Sequence, residues 1–150
     1  MTRGLLLGML ILVGGVDTAW ADCTNNRVTG SAIDTLLSGK LVCGRPAAGY
    51  TGNAADRWQE EHIAGGTLFD YKLGPGSTVD PRVQMGTWNR SGNSVVYVYN
   101  RYTPTVTVTH DGIYQVGTTG NTYSFCQGNS EIVRANVVTN GGVGCGGAFP

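Results

Sequence analysis

The sequence predicts an all-β protein: a small antiparallel up-and-down barrel with one short helix near its start. Three observations carry this. Gly, Thr, Asn, Val and Tyr are abundant while only 13% of residues are charged, a mixture suited to strands and tight turns. Period-two alternation recurs from Arg57 onward; Val95, Tyr97 and Tyr99, for example, alternate with Val96 and Val98. The connections are short, as at Ser91-Gly92-Asn93 and Gln127-Gly128-Asn129, which favours sequential hairpins over crossovers. Eight or nine strands in one sheet tend to curl closed and remove their edges. A two-sheet β-sandwich is the alternative.

The chain begins with an export-type leader. Met1-Thr2-Arg3 carries one positive charge, Gly4 to Val16 is apolar or glycine, and Ala19-Trp20-Ala21 is an A-x-A cleavage site. The apolar run of about 13 residues is too short to span a bilayer as a helix. Residues 1–21 are therefore read as a signal peptide and 22–150 as a single mature domain with a Gly-rich tail. No membrane span is expected after cleavage, and the expected location is secreted or periplasmic. Net charge is zero. No basic stripe suits nucleic acid and no acidic run is present.

Ser31 to Gly39 is the helix: Ser31 as its cap, Ile33, Leu36 and Leu37 as one apolar face, Gly39 as its stop. Lys40–Cys43 reads as a strand and Gly44–Asp56 as a loop. Arg57–Ile63 and Thr67–Lys72 form a hairpin about Ala64-Gly65-Gly66. A helix over 54–63 is the rival reading there, because Ala, Gln and Glu are good helix formers. After a loop from Leu73 to Arg82, strands follow at Val83–Arg90 and Ser94–Asn100. Thr105–His110 and Ile113–Thr118 pair about a tight Asp111-Gly112 turn. Thr122–Cys126 and Glu131–Thr139 complete the sheet. The glycines are expected at turns or in the tail.

The four cysteines of the mature chain, Cys23, Cys43, Cys126 and Cys145, allow three pairings. Short loop closure favours Cys23–Cys43 and Cys126–Cys145, each closing about 20 residues for roughly 3 kcal/mol. No C-x-x-C or C-x-x-C-H suggests redox, zinc or haem chemistry, so the sulfurs read as structural.

Few residues suggest chemistry. Glu60, Glu61 and His62, with Asp70 across the hairpin, form the densest polar cluster; on a strand, Glu60 and His62 share a face with Trp58. Such a pair could move a proton or hold a metal, but two ligands two apart are no recognised zinc pattern. His110-Asp111 reads first as part of a turn. No G-x-S-x-G elbow or phosphate-cradling loop is present, so no cofactor is called. Tyr97, Tyr99, Tyr102, Tyr114 and Tyr123, with Trp58 and Trp88, could line a barrel interior and stack on a flat ligand, or fill a solid core. The candidate binding residues are Trp58, Glu60, His62, Trp88, Tyr97 and Tyr99.

Gly86-Thr87-Trp88, between strands, resembles the G-x-W signature of lipocalin-like (calycin-like) barrels, where the tryptophan packs across the closed end; the resemblance implies a barrel of that kind. Here it lies mid-chain, whereas lipocalins carry it in their first strand. Trp58-Gln59-Glu60-Glu61-His62, then Gly86-Thr87-Trp88, then Tyr123-Ser124-Phe125-Cys126 resembles a group of small secreted bacterial proteins of unknown function. The resemblance implies no catalytic residue. The expectation is a non-enzymatic binding module for a small apolar or aromatic ligand or an extracytoplasmic protein. The alternatives are a surface-assembly protein and an enzyme using the 60–62 cluster.

Overall fold

The computed structural model describes residues 23–71, 82–140 and 144–150. The predicted leader, residues 73–81 of the predicted loop and the start of the Gly-rich tail lie outside the described residues. The fold is all-β. The strands are β1 (Arg27–Val28), β2 (Lys40–Pro46), β3 (Trp58–His62), β4 (Thr67–Tyr71) and β5 (Val83–Ser91), then β6 (Ser94–Tyr99), β7 (Val106–His110), β8 (Gly112–Gln115), β9 (Thr122–Gln127) and β10 (Ser130–Thr139). Helix α1 (Ser31–Leu37) sits between β1 and β2, and a 3-10 turn at Ala54–Asp56 precedes β3.

All ten strands join one antiparallel sheet in the order β1-β8-β9-β10-β2-β3-β4-β5-β6-β7. Two meanders, β2 to β7 and β8 to β10, are fused where β10 pairs with β2. The sheet curls into a half-barrel. Its two edges, β1 and β7, do not pair with each other, so curling brings the edges round without sealing them.

Asp111 explains how the curl is held. The sequence suggests a hairpin there, but β7 pairs with β6 and β8 pairs with β9 and β1. Asp111 is instead the corner at which the chain steps from one edge of the sheet to the far side. Its N–H donates to the Cys126 carbonyl on β9 at 2.8 Å. Its own carbonyl accepts from Ser94 Oγ at the start of β6 and from the Arg27 guanidinium on β1. Its carboxylate accepts from the Gly128 N–H at 2.9 Å. Aspartate before glycine encodes a sharp reversal; only the distant strands decide that it carries the chain from the edge strand β7 to β8 on the opposite side of the sheet.

The concave face carries the core: Ile33, Leu37, Val42, Leu68, Trp88, Val95, Tyr97, Ile113 and Phe125 are all buried and contiguous. Helix α1 contributes Ile33 and Leu37 to it. The helix is tied to the β5–β6 hairpin by the Gly30 N–H to Asn93 Oδ1 bond of 2.9 Å and the Arg90–Asp34 pair of 2.7 Å. Ser31 is the first helical residue rather than the cap. Gly30, at φ 53°, occupies the cap position with no side-chain cap bond. The rival helix over 54–63 does not form: its second half is β3, whose alternation puts Glu60 and His62 inward and whose backbone bonds are taken by β2 and β4.

The disulfides pair otherwise than loop length suggests. They are Cys23–Cys126 and Cys43–Cys145, with Cα separations of 6.0 and 5.8 Å. Register gives the reason. Cys43 stands level with Asn136 and Thr122 across β10, so Cys126 is two strands over and four residues along, roughly 16 Å away. Cys23, 6.0 Å from Cys126, is then at least about 10 Å from Cys43, beyond a disulfide's ~7 Å reach. Both bridges lie on the convex face, one packed with Tyr114 and the other with Leu41 and Phe149.

Two glycines depart from the expected turn-and-tail distribution. Gly44 lies within β2, where the Trp58 indole packs over it so closely that a Cβ would come 2.8 Å from Cε2. Gly86 lies within β5 against the β6 backbone.

Candidate functional site

The sheet fails to close between β7 and the β9–β10 hairpin, and a cavity of about 400 Å³ occupies that gap. One wall is β7, whose alternation sends Val106, Val108 and His110 to one face. The other is Phe125 of β9 with Ile132 and Val133 of β10. Val42, Trp58, Glu60, Asp70, Tyr97 and Tyr99, on β2, β3, β4 and β6, form the floor, and Tyr102 stands beyond the end of β6.

Ile132 and Val133 line the same cavity although they are consecutive. A β-bulge explains this: Glu131 pairs with Cys126 and Val133 with Phe125, which leaves Ile132 as the extra residue. A bulge re-aims the side chain that it frees. Tyr102, Val106 and Ile132 are 52, 41 and 41% exposed, and they are the large hydrophobic side chains exposed among the described residues. All three stand on the cavity's rim.

The interior is aromatic, with polar groups set into it. Tyr97 and Tyr99 stack with centroids 6.2 Å apart, Tyr102 continues the row at 6.2 Å from Tyr99, and His110 meets Tyr97 and Phe125 edge-on. Glu60, 8% exposed, faces Asp70 directly across the β3–β4 pair. The Tyr99 hydroxyl donates to Glu60 Oε1 at 2.6 Å. Burial pushes the Glu60 carboxyl up to about 7; the Tyr99 bond pulls the other way, and the Asp70 charge adds to the rise.

His62 has a different place. It is fully buried beneath the cavity, edge-on to Trp88 and Tyr97. Nδ1 lies 3.2 Å from the Glu60 carbonyl and Nε2 3.0 Å from the Tyr97 hydroxyl. A carbonyl only accepts, so Nδ1 carries the proton and Nε2 accepts from Tyr97. Burial lowers the His62 pKa to about 4, so the ring is neutral at neutral pH. Both its nitrogens are engaged, and it is not free to serve chemistry in the cavity. Trp88 likewise belongs to the core, its indole N–H given to the Ile63 carbonyl at 3.1 Å.

Of the six binding candidates, Trp58, Glu60, Tyr97 and Tyr99 come together in the cavity, while His62 and Trp88 pack beneath it. Glu61 turns to the convex face and pairs with Arg82 at 2.6 Å. The 60–62 cluster is thus divided between the two faces, as alternation on a strand requires. Among the described residues, no group of three His, Cys, Asp or Glu side chains is placed to hold a metal ion.

No protein-family model, curated protein or solved structure matches this chain.

His110, which the sequence places beside a turn, ends β7 in the cavity wall. It is 5% exposed, and its Nδ1 has no hydrogen-bond partner among the described residues. Burial lowers its pKa to about 4, against the opposing pull of Asp111. The signal was present: counting in twos from Val106 and Val108 places His110 on their face. Ile132 also left a trace, because the adjacent apolar pair Ile132-Val133 breaks the period-two pattern of β10.

The Glu60 environment predicts a pH signature. An ordinary glutamate in the unfolded chain titrates near 4.5, whereas folded Glu60 titrates near 7. The folded state therefore holds this proton more tightly. The resulting stability is complete below pH 4.5 and is lost as pH rises to about 7. The loss amounts to ~3 kcal/mol. Glu60→Gln keeps an acceptor for Tyr99 and has no proton to lose. Urea unfolding at pH 4.5, 6 and 8 is expected to show Glu60→Gln gaining on the native protein by ~3 kcal/mol up to pH 7, then levelling. His62 and His110 act in the opposite sense between pH 4 and 6.5, equally in both proteins. A pH-independent difference would mean that Glu60 titrates as an ordinary carboxylate.

Proposed function

We propose that this protein is a non-enzymatic binding module that takes a small, largely apolar ligand into the cavity between β7 and β9–β10. The observation that carries the reading is the rim: Tyr102, Val106 and Ile132 hold exposed apolar surface at the opening of an aromatic-lined cavity. Exposed apolar surface gathered at one place marks a binding site, whereas the same side chains scattered would not. The volume, about 400 Å³, falls within the roughly 300–1,000 Å³ of small-molecule sites, and a few polar groups in an apolar wall are their usual composition.

Two disulfides suit an oxidising compartment outside the cytoplasm. Together with the leader-like residues 1–21, they support a secreted or periplasmic location. No helix among the described residues is long and apolar enough to cross a membrane.

The test is titration with N-phenyl-1-naphthylamine, a neutral dye that brightens in apolar surroundings. The native protein is expected to bind one equivalent with a blue-shifted emission. Val108→Trp, which fills the cavity from β7, is expected to abolish the signal while the far-ultraviolet spectrum stays unchanged. A native protein that leaves the dye dark, or a filled cavity that binds it equally well, removes the reading.

A further inference from the structure

We propose that the ligand is a phenol: a flat ring system whose hydroxyl hydrogen-bonds to the His110 imidazole at the buried end of the cavity, with its rings lying along β7 towards the rim. This rests on the reading of the cavity as a small-ligand site and names the chemistry that the site selects.

Three observations converge on His110. It lines the cavity and is 5% exposed, yet its ring makes no hydrogen bond through either nitrogen among the described residues. A buried polar group without a partner is destabilising, so its presence calls for a reason. Nδ1 is sealed off completely, which leaves Nε2 as the nitrogen open to a ligand. Second, the ring is wedged in place: Tyr97 and Phe125 meet it edge-on, with centroids 5.8 and 5.5 Å away. Third, the same core shows what a buried imidazole takes. Nε2 of the other histidine, His62, is met by the phenol hydroxyl of Tyr97 at 3.0 Å. The hydroxyls of Tyr97 and Tyr99 are committed to His62 and Glu60, and neither serves His110. A ligand phenol would stand to His110 as Tyr97 stands to His62.

A hydroxyl suits this ring better than a charged group does. It both donates and accepts, so it pairs with an imidazole nitrogen whether or not that nitrogen carries the proton. A carboxylate only accepts and an ammonium only donates. Burial keeps the His110 ring neutral down to about pH 4, so it offers an anion no charge to offset desolvation.

The walls set the direction of the ligand body. From His110, β7 leads outward through Val108 to Val106, which is 41% exposed at the rim. Across the strand pair Val108 stands level with Tyr97 and Val106 with Tyr99. Those two tyrosines stack, and Tyr102 continues the row to the rim. Four residues of strand span about 13 Å, room for two fused rings behind the hydroxyl, and aromatic walls favour a flat body.

Displacement of the bound dye by three naphthalenes decides the matter: 2-naphthol; 2-methylnaphthalene, with a methyl in place of the hydroxyl; and 2-naphthoate, with an anionic carboxylate there. The native protein is expected to take 2-naphthol at least as tightly as the hydrocarbon, although the hydroxyl favours water, and to take the anion most weakly. His110→Phe keeps a ring and removes both nitrogens. It should weaken 2-naphthol by about ten-fold and leave 2-methylnaphthalene within about two-fold. The chain has two histidines, so nitrogen-15 labelling of histidine reads the contact in the native protein without any substitution. Saturating 2-naphthol should move the ring-nitrogen signals of His110 and spare those of His62, whose nitrogens are already engaged; the hydrocarbon should leave both nearly in place. An unchanged ratio of affinities in His110→Phe overturns the phenol assignment, as do His110 signals that respond equally to 2-naphthol and the hydrocarbon. So does 2-naphthoate binding as tightly as 2-naphthol, or a 2-naphthol that fails to displace a bright dye. In each of these cases the cavity reading survives. A dark dye defeats that reading separately, and this proposal with it.

Discussion

Replacing both cysteines of either bridge by alanine should lower the unfolding free energy by about 4 kcal/mol, and removing both bridges should leave the chain close to unfolded at 37 °C. The two loops span 103 and 102 residues and overlap over most of their length. A loop of about 100 residues is worth ~4.7 kcal/mol in the chain-entropy model. With Cys23–Cys126 in place, closing Cys43–Cys145 confines only about 40 further residues, for roughly 4 kcal/mol. Each bridge is therefore nearly independent of the other despite the overlap. Together they match the whole stability of an ordinary domain, roughly 5–15 kcal/mol. Thermal unfolding of Cys43→Ala/Cys145→Ala should show a midpoint lower by roughly 10–20 °C. A non-reducing peptide map should recover the Cys23 peptide joined to that of Cys126. Recovery of Cys23 with Cys43 would contradict the register of β2, β10 and β9.

Gly86→Ala should cost about 3 kcal/mol or more, at or beyond the upper end for overpacking. A Cβ at this position would stand 1.8 Å from the Val98 carbonyl oxygen, 2.8 Å from its carbon and 3.1 Å from the Tyr99 Cα. Those are backbone atoms of the paired strand and cannot rotate aside. The neighbouring pairing is already irregular, because Leu68 faces Gly86 while Phe69 faces Gln84. Gly86 thus marks a bend in the curl, where glycine permits a close backbone approach. Its cross-strand partner is Tyr99, which holds Glu60. Denaturant unfolding should show the loss, and surviving native protein should bind dye more weakly. Gly44→Ala is the control: its Cβ meets the Trp58 indole, a side chain that can shift into the cavity. It should cost less stability and still reduce dye binding. Equal stability costs at the two glycines would refute this distinction.

The all-β class and most of the strands were legible because alternation and short turns are local signals. Val95, Tyr97 and Tyr99 declared one face of β6, and Trp58, Glu60 and His62 one face of β3. Four of the six candidate binding residues share the cavity for that reason. The separation of His62 from Glu60 in depth was not legible: period two assigns a face but says nothing about how far along a curled sheet a residue lies from its opening. The exposed Ile132 depends on a bulge of one residue, visible in sequence only as a doubled apolar position.

The features legible in the sequence were therefore local: strand, turn, face, and four cysteines with a structural role. The tertiary structure decided every relation across the sheet. It turned the Asp111 hairpin into a corner between β7 and β8, on opposite sides of the sheet, and carried each sulfur to a partner about 100 residues away. It also left the gap beside β7 in which Glu60, Asp70 and His110 meet. The physical reason is range. Backbone propensity acts over a few residues, whereas strand order is set by which concave faces can be buried together, and that is a property of the whole chain.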